Sequence, residues 1–387
     1  MQGSQNPSML SAPVRKRKNL RLRRALVATL VLLIIVSLTL LGVGWYFSQQ
    51  LLQVSHSPDA YNTRVLAVDP HTVTLQSTGD TRRRGTYGMD WSTGHAVLGP
   101  IVRLGVTGVM RQISGQTAPI TAGAQVHLDK YVFTSPGSFR IRYSTVYVPD
   151  PLGPMPGWYV PGRRHTWVVI VHGHDSIRAE GMRPLPTLAR FGLPVLDISF
   201  RNDVGAPGSP DGVEHLGATE WQDLQAAVRY ARAHGAHDVI LYGYSEGGGI
   251  VESFLHRSSD ARYARAIVLD APALDWNSVV NLAAQQRGIP GFITAVARRV
   301  VEFRLGIADL RDITEANQTS PLRAPTLLFH GTADTVVPIG PSIAFARARP
   351  DLVTFYPVAG AEHTGAWNVN PQLYTARLST FLRRVLR

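Results

Sequence analysis

"DVILYGYSEGGGI", residues 238–250, decides how the rest of the chain is read. A short apolar run leads into one serine set between glycines, and a stretch compatible with a helix follows. Apolar runs without polar alternation mark strands buried on both faces. Gly243 and Gly247 would let strand and helix approach across a sharp turn, with Ser245 lifted at its tip. Five-residue patterns of this kind also arise by chance, so the meaning of the turn depends on its surroundings.

On both sides of it, apolar runs alternate with helical ones. "TWVVIVHG" (166–173), "LPVLDISF" (193–200), "ARAIVLDAP" (264–272), "APTLLFHG" (324–331) and "LVTFYPV" (352–358) read as strands. Helical stretches fall at 219–233, 249–257, 341–349 and 371–386. This order predicts an α/β domain over 165–387, with a doubly wound, mostly parallel sheet joined by right-handed crossovers. Ligands in such sheets bind beyond the carboxyl ends of the strands. The interval 273–320 breaks the rhythm with "SVVNLAAQQ" and "GFITAVARRVVEFRLG", and an inserted helical cap is expected there.

The N-terminal part differs. Residues 25–47, "ALVATLVLLIIVSLTLLGVGWYF", hold no charge. As a helix they would span roughly 35 Å, enough for a hydrocarbon core of about 30 Å. A basic tail, 1–24, precedes them, and no acidic residue occurs before Asp59. The expectation is a single-pass transmembrane helix with a cytoplasmic N-terminus and the remainder extracytoplasmic. A cleaved signal peptide is the alternative, but the run is long and ends in "GWYFSQQLL" without a small-residue cleavage pattern. Residues 48–150 show short alternating runs such as "RVLAVDPHTVTL" and read as a small β-rich region. "PDPLGPMPGWYVPGRR" (149–164) is dense in proline and glycine, and 151–164 reads as a connector.

The formal net charge of +12 raises the question of nucleic acid, yet seven positives lie between Arg15 and Arg24, and without them +5 is left. Clustering in the tail argues against a nucleic-acid partner and fits membrane topology or contact with anionic lipid. The chain has no cysteine, which excludes disulfides, thiolate metal sites and a cysteine nucleophile.

A serine hydroxyl becomes a nucleophile when a histidine takes its proton and a carboxylate orients the histidine. Asp334, in "LLFHGTADTVVP", and His363, in "VTFYPVAGAEHTGAW", each follow an apolar strand, in the order Ser, Asp, His. Ser245, Asp334 and His363 are therefore the candidate catalytic residues. The N–H groups of Glu246 and His174 are the candidate oxyanion hole. Asp270, in "VLDAP", competes for the role of the acid. His172 and His330 precede glycines at strand ends and are read as loop braces, and Asp197 with Arg201 as a structural or pocket-wall pair.

Through "VVIVHGHD", "GYSEGG", "HGTADTVVP" and "AEHTGAW", residues 163–387 resemble the α/β-hydrolase superfamily, in particular its serine aminopeptidase-like and acyl-hydrolase-like branch with an N-terminal anchor. The resemblance implies hydrolysis of an ester, thioester or amide through an acyl-enzyme, with no metal or organic cofactor. The apolar cap favours an acyl chain or lipid ester, a carboxylesterase or lipase type of substrate. A short-peptide aminopeptidase is an alternative within the same chemistry, and an inactive binding module a second class. Glu246 departs from the family pattern, which often has an apolar residue there, and a carboxylate at that place would disfavour anionic substrates or shift the pH optimum.

Overall fold

The computed structural model describes residues 12–55, 60–313 and 322–387; residues 1–11 of the basic tail and 314–320 of the expected cap lie outside them. Helix α1 (Ala12–Leu52) begins inside the basic run and continues unbroken through the apolar stretch. Its segment Leu22–Leu52 is long and apolar enough to cross a membrane, with a mean hydropathy of 2.9 over its most apolar 18 residues.

Six strands follow: β1 (Thr63–Asp69), β2 (Thr72–Gln76), β3 (Tyr87–Trp91), β4 (Gly94–Leu104), β5 (Gly108–Ser114) and β6 (Gln125–Asp129). They close an antiparallel barrel in the order β1-β2-β5-β4-β3-β6. Side chains of a strand alternate between faces, so Val65, Val73, Leu75, Met89, Leu98 and Val126 fill the interior. Closure removes free strand edges.

The second sheet has eight strands. Of these, β7 (Ser144–Val148), β8 (Met155–Val160), β9 (Thr166–Val171) and β10 (Val195–Ile198) precede the serine turn. The other four are β11 (Asp238–Tyr244), β12 (Ala264–Asp270), β13 (Thr326–Gly331) and β14 (Val353–Val358). The spatial order is β14-β13-β12-β11-β9-β10-β8-β7. Strands β9 to β14 run parallel, while β8 and β7 add an antiparallel margin. The stretch 151–164, expected to be a connector, thus carries a strand, and β7 belongs to this sheet although it falls within the β-rich region read as 48–150. Prolines obscured the pattern; Pro156 stands near the start of β8, where a missing N–H is tolerated.

Helices α2 (Leu185–Arg190), α3 (Trp221–Ala233) and α4 (Glu246–Arg257) are followed by α5 (Trp276–Gln286) and α6 (Gly291–Leu305). The chain ends with α7 (Gly340–Ala348), α8 (Ala366–Val369) and α9 (Pro371–Val385). One face of the sheet packs on α3, α4 and α7 through Leu224, Val228, Val251, Phe254 and Phe345. The other packs on α2 and α9 through Leu185, Leu188, Leu378, Phe381 and Leu382. Helices α5 and α6 form the insertion between β12 and β13.

The last turn of α1 is part of this architecture. Leu52 is fully buried with Val213, Leu216, Trp276 and Val301. Its carbonyl accepts from Glu214 N at 3.0 Å, and Gln53 bridges to Val213.

Candidate active site

Strand β11 ends at Tyr244 and α4 begins at Glu246, leaving Ser245 between them at φ 48°, ψ −119°. Positive φ costs a non-glycine residue on the order of 1–3 kcal/mol and persists only where the surroundings enforce it. Here Ser245 N donates to Asp270 O at 3.0 Å, and Ser245 O accepts from Ala273 N at 2.8 Å and Gly248 N at 3.0 Å. The glycine two residues on is required by space: a Cβ on Gly247 would stand 2.3 Å from the carbonyl oxygen of Val171.

The loop after β14 brings His363 over the serine. His363 Nε2 lies 2.8 Å from Ser245 Oγ, and Nδ1 lies 2.8 Å from Asp334 Oδ2. Asp334, in the turn after β13, is fixed in place: its Oδ1 accepts from the N–H groups of Val336 and Val337, both at 2.9 Å. The structure thus joins three residues separated by up to 118 positions into one hydrogen-bonded row. Burial opposes a charge on Asp334, but hydrogen bonds from His330, His363 and Val337 outweigh it and hold the carboxyl well below its ordinary range. Burial also lowers the pKa of His363, against the pull of Asp334 and with the help of the Lys130 charge. The imidazole is therefore neutral, and able to accept a proton, at more acidic pH than a free histidine.

Asp270 does not reach this row. Its carboxylate accepts from Tyr374 Oη at 3.0 Å, and burial raises its pKa to about 6. His330 braces the acid loop, with Nδ1 at 2.8 Å from Ser342 Oγ and Nε2 at 3.0 Å from Val337 O. His172 braces the loop after β10 through Asp203 Oδ2 at 2.8 Å. The expected pairing of Asp197 with Arg201 does not form. The chain turns after β10 and directs Arg201 to Asp223 at the start of α3, with contacts of 2.6 and 2.9 Å. Neither Asp197 oxygen has a hydrogen-bond partner, and burial raises this carboxyl well above the usual range.

Glu246 points its carboxylate inward rather than across the serine. It is fully buried, and its Oε2 lies 3.1 Å from His174 Nδ1. Burial disfavours the imidazolium, yet this contact with Glu246 lifts His174 to about 9. Buried Glu214 completes the cluster; burial and the Glu246 charge raise its pKa. Ligand atoms of His174, Glu214 and Glu246 lie within 4.8 Å of one another, so these three residues could hold a cation.

Sequence reading missed Glu180 and its partners. Glu180, in the short turn Arg178–Met182, is fully buried. Its Oε2 accepts from Gly173 N at 2.9 Å and Ser176 Oγ at 3.0 Å. Its Oε1 accepts from Thr364 Oγ1 at 2.8 Å and meets Lys130 Nζ at 3.2 Å. One carboxylate therefore ties the loop carrying His174, the loop carrying His363 and the end of the barrel. Burial would raise its pKa, but Lys130, Arg183 and the Gly173 N–H overcome this and depress it strongly. Asn368 adds a second tie, donating to Thr86 O at 2.8 Å and Lys130 O at 3.0 Å. A lone glutamate in "RAEGM" carries no periodic or spacing signal that would have singled it out.

Comparison with known proteins follows the same division. Residues 64–129, the barrel, match a family described as a domain of unknown function, DUF8805. A non-heme haloperoxidase of Rhodococcus erythropolis is 27% identical over 195 residues, covering 38% of this chain and 69% of that protein. Among solved structures, an esterase of Pyrococcus furiosus superposes with a TM-score of 0.52 at 20% identity, over 65% of this chain and 96% of its own. At that identity the likeness is one of fold.

Proposed function

The chain has the α/β-hydrolase fold, and on that premise we propose that it is a membrane-anchored serine hydrolase that cleaves carboxylic esters through an acyl-enzyme. The observation that carries the proposal is the unbroken row from Ser245 Oγ through His363 to Asp334, with 2.8 Å at each contact. His363 Nε2 takes the hydroxyl proton as Ser245 Oγ attacks the acyl carbonyl. Asp334 holds the Nδ1–H tautomer and stabilises the imidazolium. The N–H groups of Glu246, at the start of α4, and His174 receive the charge that develops on the carbonyl oxygen. His363 then returns the proton to the leaving alcohol, and water, activated by the same imidazole, releases the acid. The esterase likeness in fold supports an ester over an amide. Helix α1, basic at its N-terminal side and apolar beyond it, supports an anchor with the hydrolase outside the cytoplasm.

The test is covalent labelling of the full-length protein by a fluorophosphonate, beside its Ser245→Ala variant. We expect labelling of the wild type alone, and ester turnover reduced roughly a millionfold in the variant. Equal labelling of both proteins, or none of the folded wild type, would reject the assignment.

A further inference from the structure

Helix α1 does not leave its apolar span as a free tether. A Cβ on Gly44 would meet Val296 at 3.0 Å and Val300 at 3.1 Å, so α1 and α6 touch almost backbone to backbone. Arg304 lies over the Trp45 ring at 4.6 Å and donates to Ser48 Oγ at 3.0 Å. Beside this contact the two helices bound a crevice of 1080 Å³ whose lining includes Leu41, Trp45, Val296, Phe303, Arg298 and Arg299.

The position of the crevice along α1 is informative. About twenty helical residues cross a hydrocarbon core of about 30 Å, which from Ala25 ends at Gly44. Leu41 and Trp45 therefore fall where lipid tails give way to headgroups, the level that tryptophan favours. In the same crevice α6 leaves Phe303 81% exposed. Apolar area of this kind gains about 25 cal/mol for each Å² removed from water. Two of the arginines stand next to it: Arg298 contacts the neutral Asn277 Oδ1 at 3.2 Å, and Arg299 lies 2.8 Å from Glu302. The charged lining is Arg298, Arg299 and Arg311 against Glu302 and Asp309, and this net positive balance beside apolar walls matches an amphipathic anion.

We propose that the crevice between α1 and α6 seats one anionic phospholipid of the bilayer, its acyl chain along Leu41, Val296 and Phe303 and its phosphate against Arg298 and Arg299. This rests on the reading of α1 as a membrane anchor. The cap is then held against the lipid interface, because α6 also buries Val301 and Leu305 with Trp276 and with Val337 of the acid loop.

The chain has no cysteine, so single-cysteine variants report single places. Full-length Phe303→Cys, carrying an environment-sensitive fluorophore, would be reconstituted in phosphatidylcholine vesicles containing phosphatidylglycerol. Val106→Cys, at a barrel position 90% exposed, is the control. We expect lipid-borne bromine to quench the label at 303 and aqueous iodide to quench the label at 106. Iodide quenching at both positions, in a chain that resists alkaline extraction, overturns the crevice and leaves the anchor standing. A chain stripped from vesicles by alkali overturns both. In native mass spectrometry of the full chain from mixed vesicles, the wild type should retain phosphatidylglycerol, and the Arg298→Gln, Arg299→Gln double variant should lose it. Equal retention of both lipids by the wild type overturns the headgroup assignment.

Discussion

The serine turn and the docking face of the barrel both converge on the loop that carries His363, and they are built from opposite materials. The turn is compact in sequence: a strand, a strained serine, glycine spacing and a helix, all within 238–250, held by backbone hydrogen bonds to Gly248 and to the end of the neighbouring strand at Asp270 and Ala273. The docking face is long-range: Arg183 Nη1 reaches Thr364 O and Asn368 Oδ1, both at 2.6 Å, and Asn368 reaches back to Thr86 and Lys130. On the proposed mechanism, one region supplies the nucleophile. The other fixes the loops between which that group must act. A buried carboxylate suits the second task because one group with two oxygens can receive donors from three segments at once, and its charge makes each of those bonds stronger.

The contrast predicts unequal effects. The largest is expected at Glu180→Gln. Breaking a buried charged cluster by removing one partner costs about 3–5 kcal/mol, and turnover should fall more than substrate affinity as the loops of His174 and His363 lose their common tie. The pH dependence has a definite sign. The Glu180 carboxyl is held well below the ordinary glutamate range, so its contribution is complete above the pKa of the unfolded chain and fades as pH falls toward the folded-state value. Thermal unfolding of wild type and variant, followed from neutral pH downward, should therefore converge on the acid side. Two parallel curves would show that the clamp is idle.

A smaller effect is expected at Lys130→Met. The Lys130 charge helps to depress the pKa of His363. Without it the acid limb of kcat/KM should move upward by a fraction of a pH unit, while the alkaline side stays in place. An unmoved limb would separate the barrel from the electrostatics of the site. The smallest effect is expected at Arg83→Ala. The Arg83–Glu362 pair spans barrel and histidine loop at 2.8 Å, but its side chains are 37% and 44% exposed. Exposed pairs contribute about 0–1 kcal/mol. A loss in melting or activity near that of Glu180→Gln would reverse the comparison and place the barrel's grip at its rim.

The two sheets also differ in how far the sequence discloses them. The parallel strands β9 to β13 are buried on both faces and read as continuous apolar runs, so they fall where expected, as do β14 at the sheet edge and helices α3, α4 and α7, whereas the short α2 between β9 and β10 carries no such signal. Ser245, Asp334 and His363 were legible for the same reason, since each sits at a strand end that the runs mark out. Strands β7 and β8 were not, because their prolines, glycines and alternating faces look like an extension of the preceding β-rich region. Arg201 was assigned to Asp197 by proximity in the chain, but its actual partner, Asp223, lies across a turn that periodicity does not encode.

Sequence alone determined the alternation of strands and helices, the glycine-flanked serine turn, the order of Ser245, Asp334 and His363, and an apolar helix flanked by basic residues. Each of these is written in the spacing of neighbouring residues, where backbone geometry and burial act locally. Tertiary structure alone decided that the barrel docks on the histidine loop, that Glu180 ties three segments together, and that the end of α1 packs into the cap with Leu52 in its core. Those contacts join residues far apart in the chain, and their free energy comes from apolar burial and from charge pairing that offsets the cost of desolvation, both of which exist only once the intervening segments have folded.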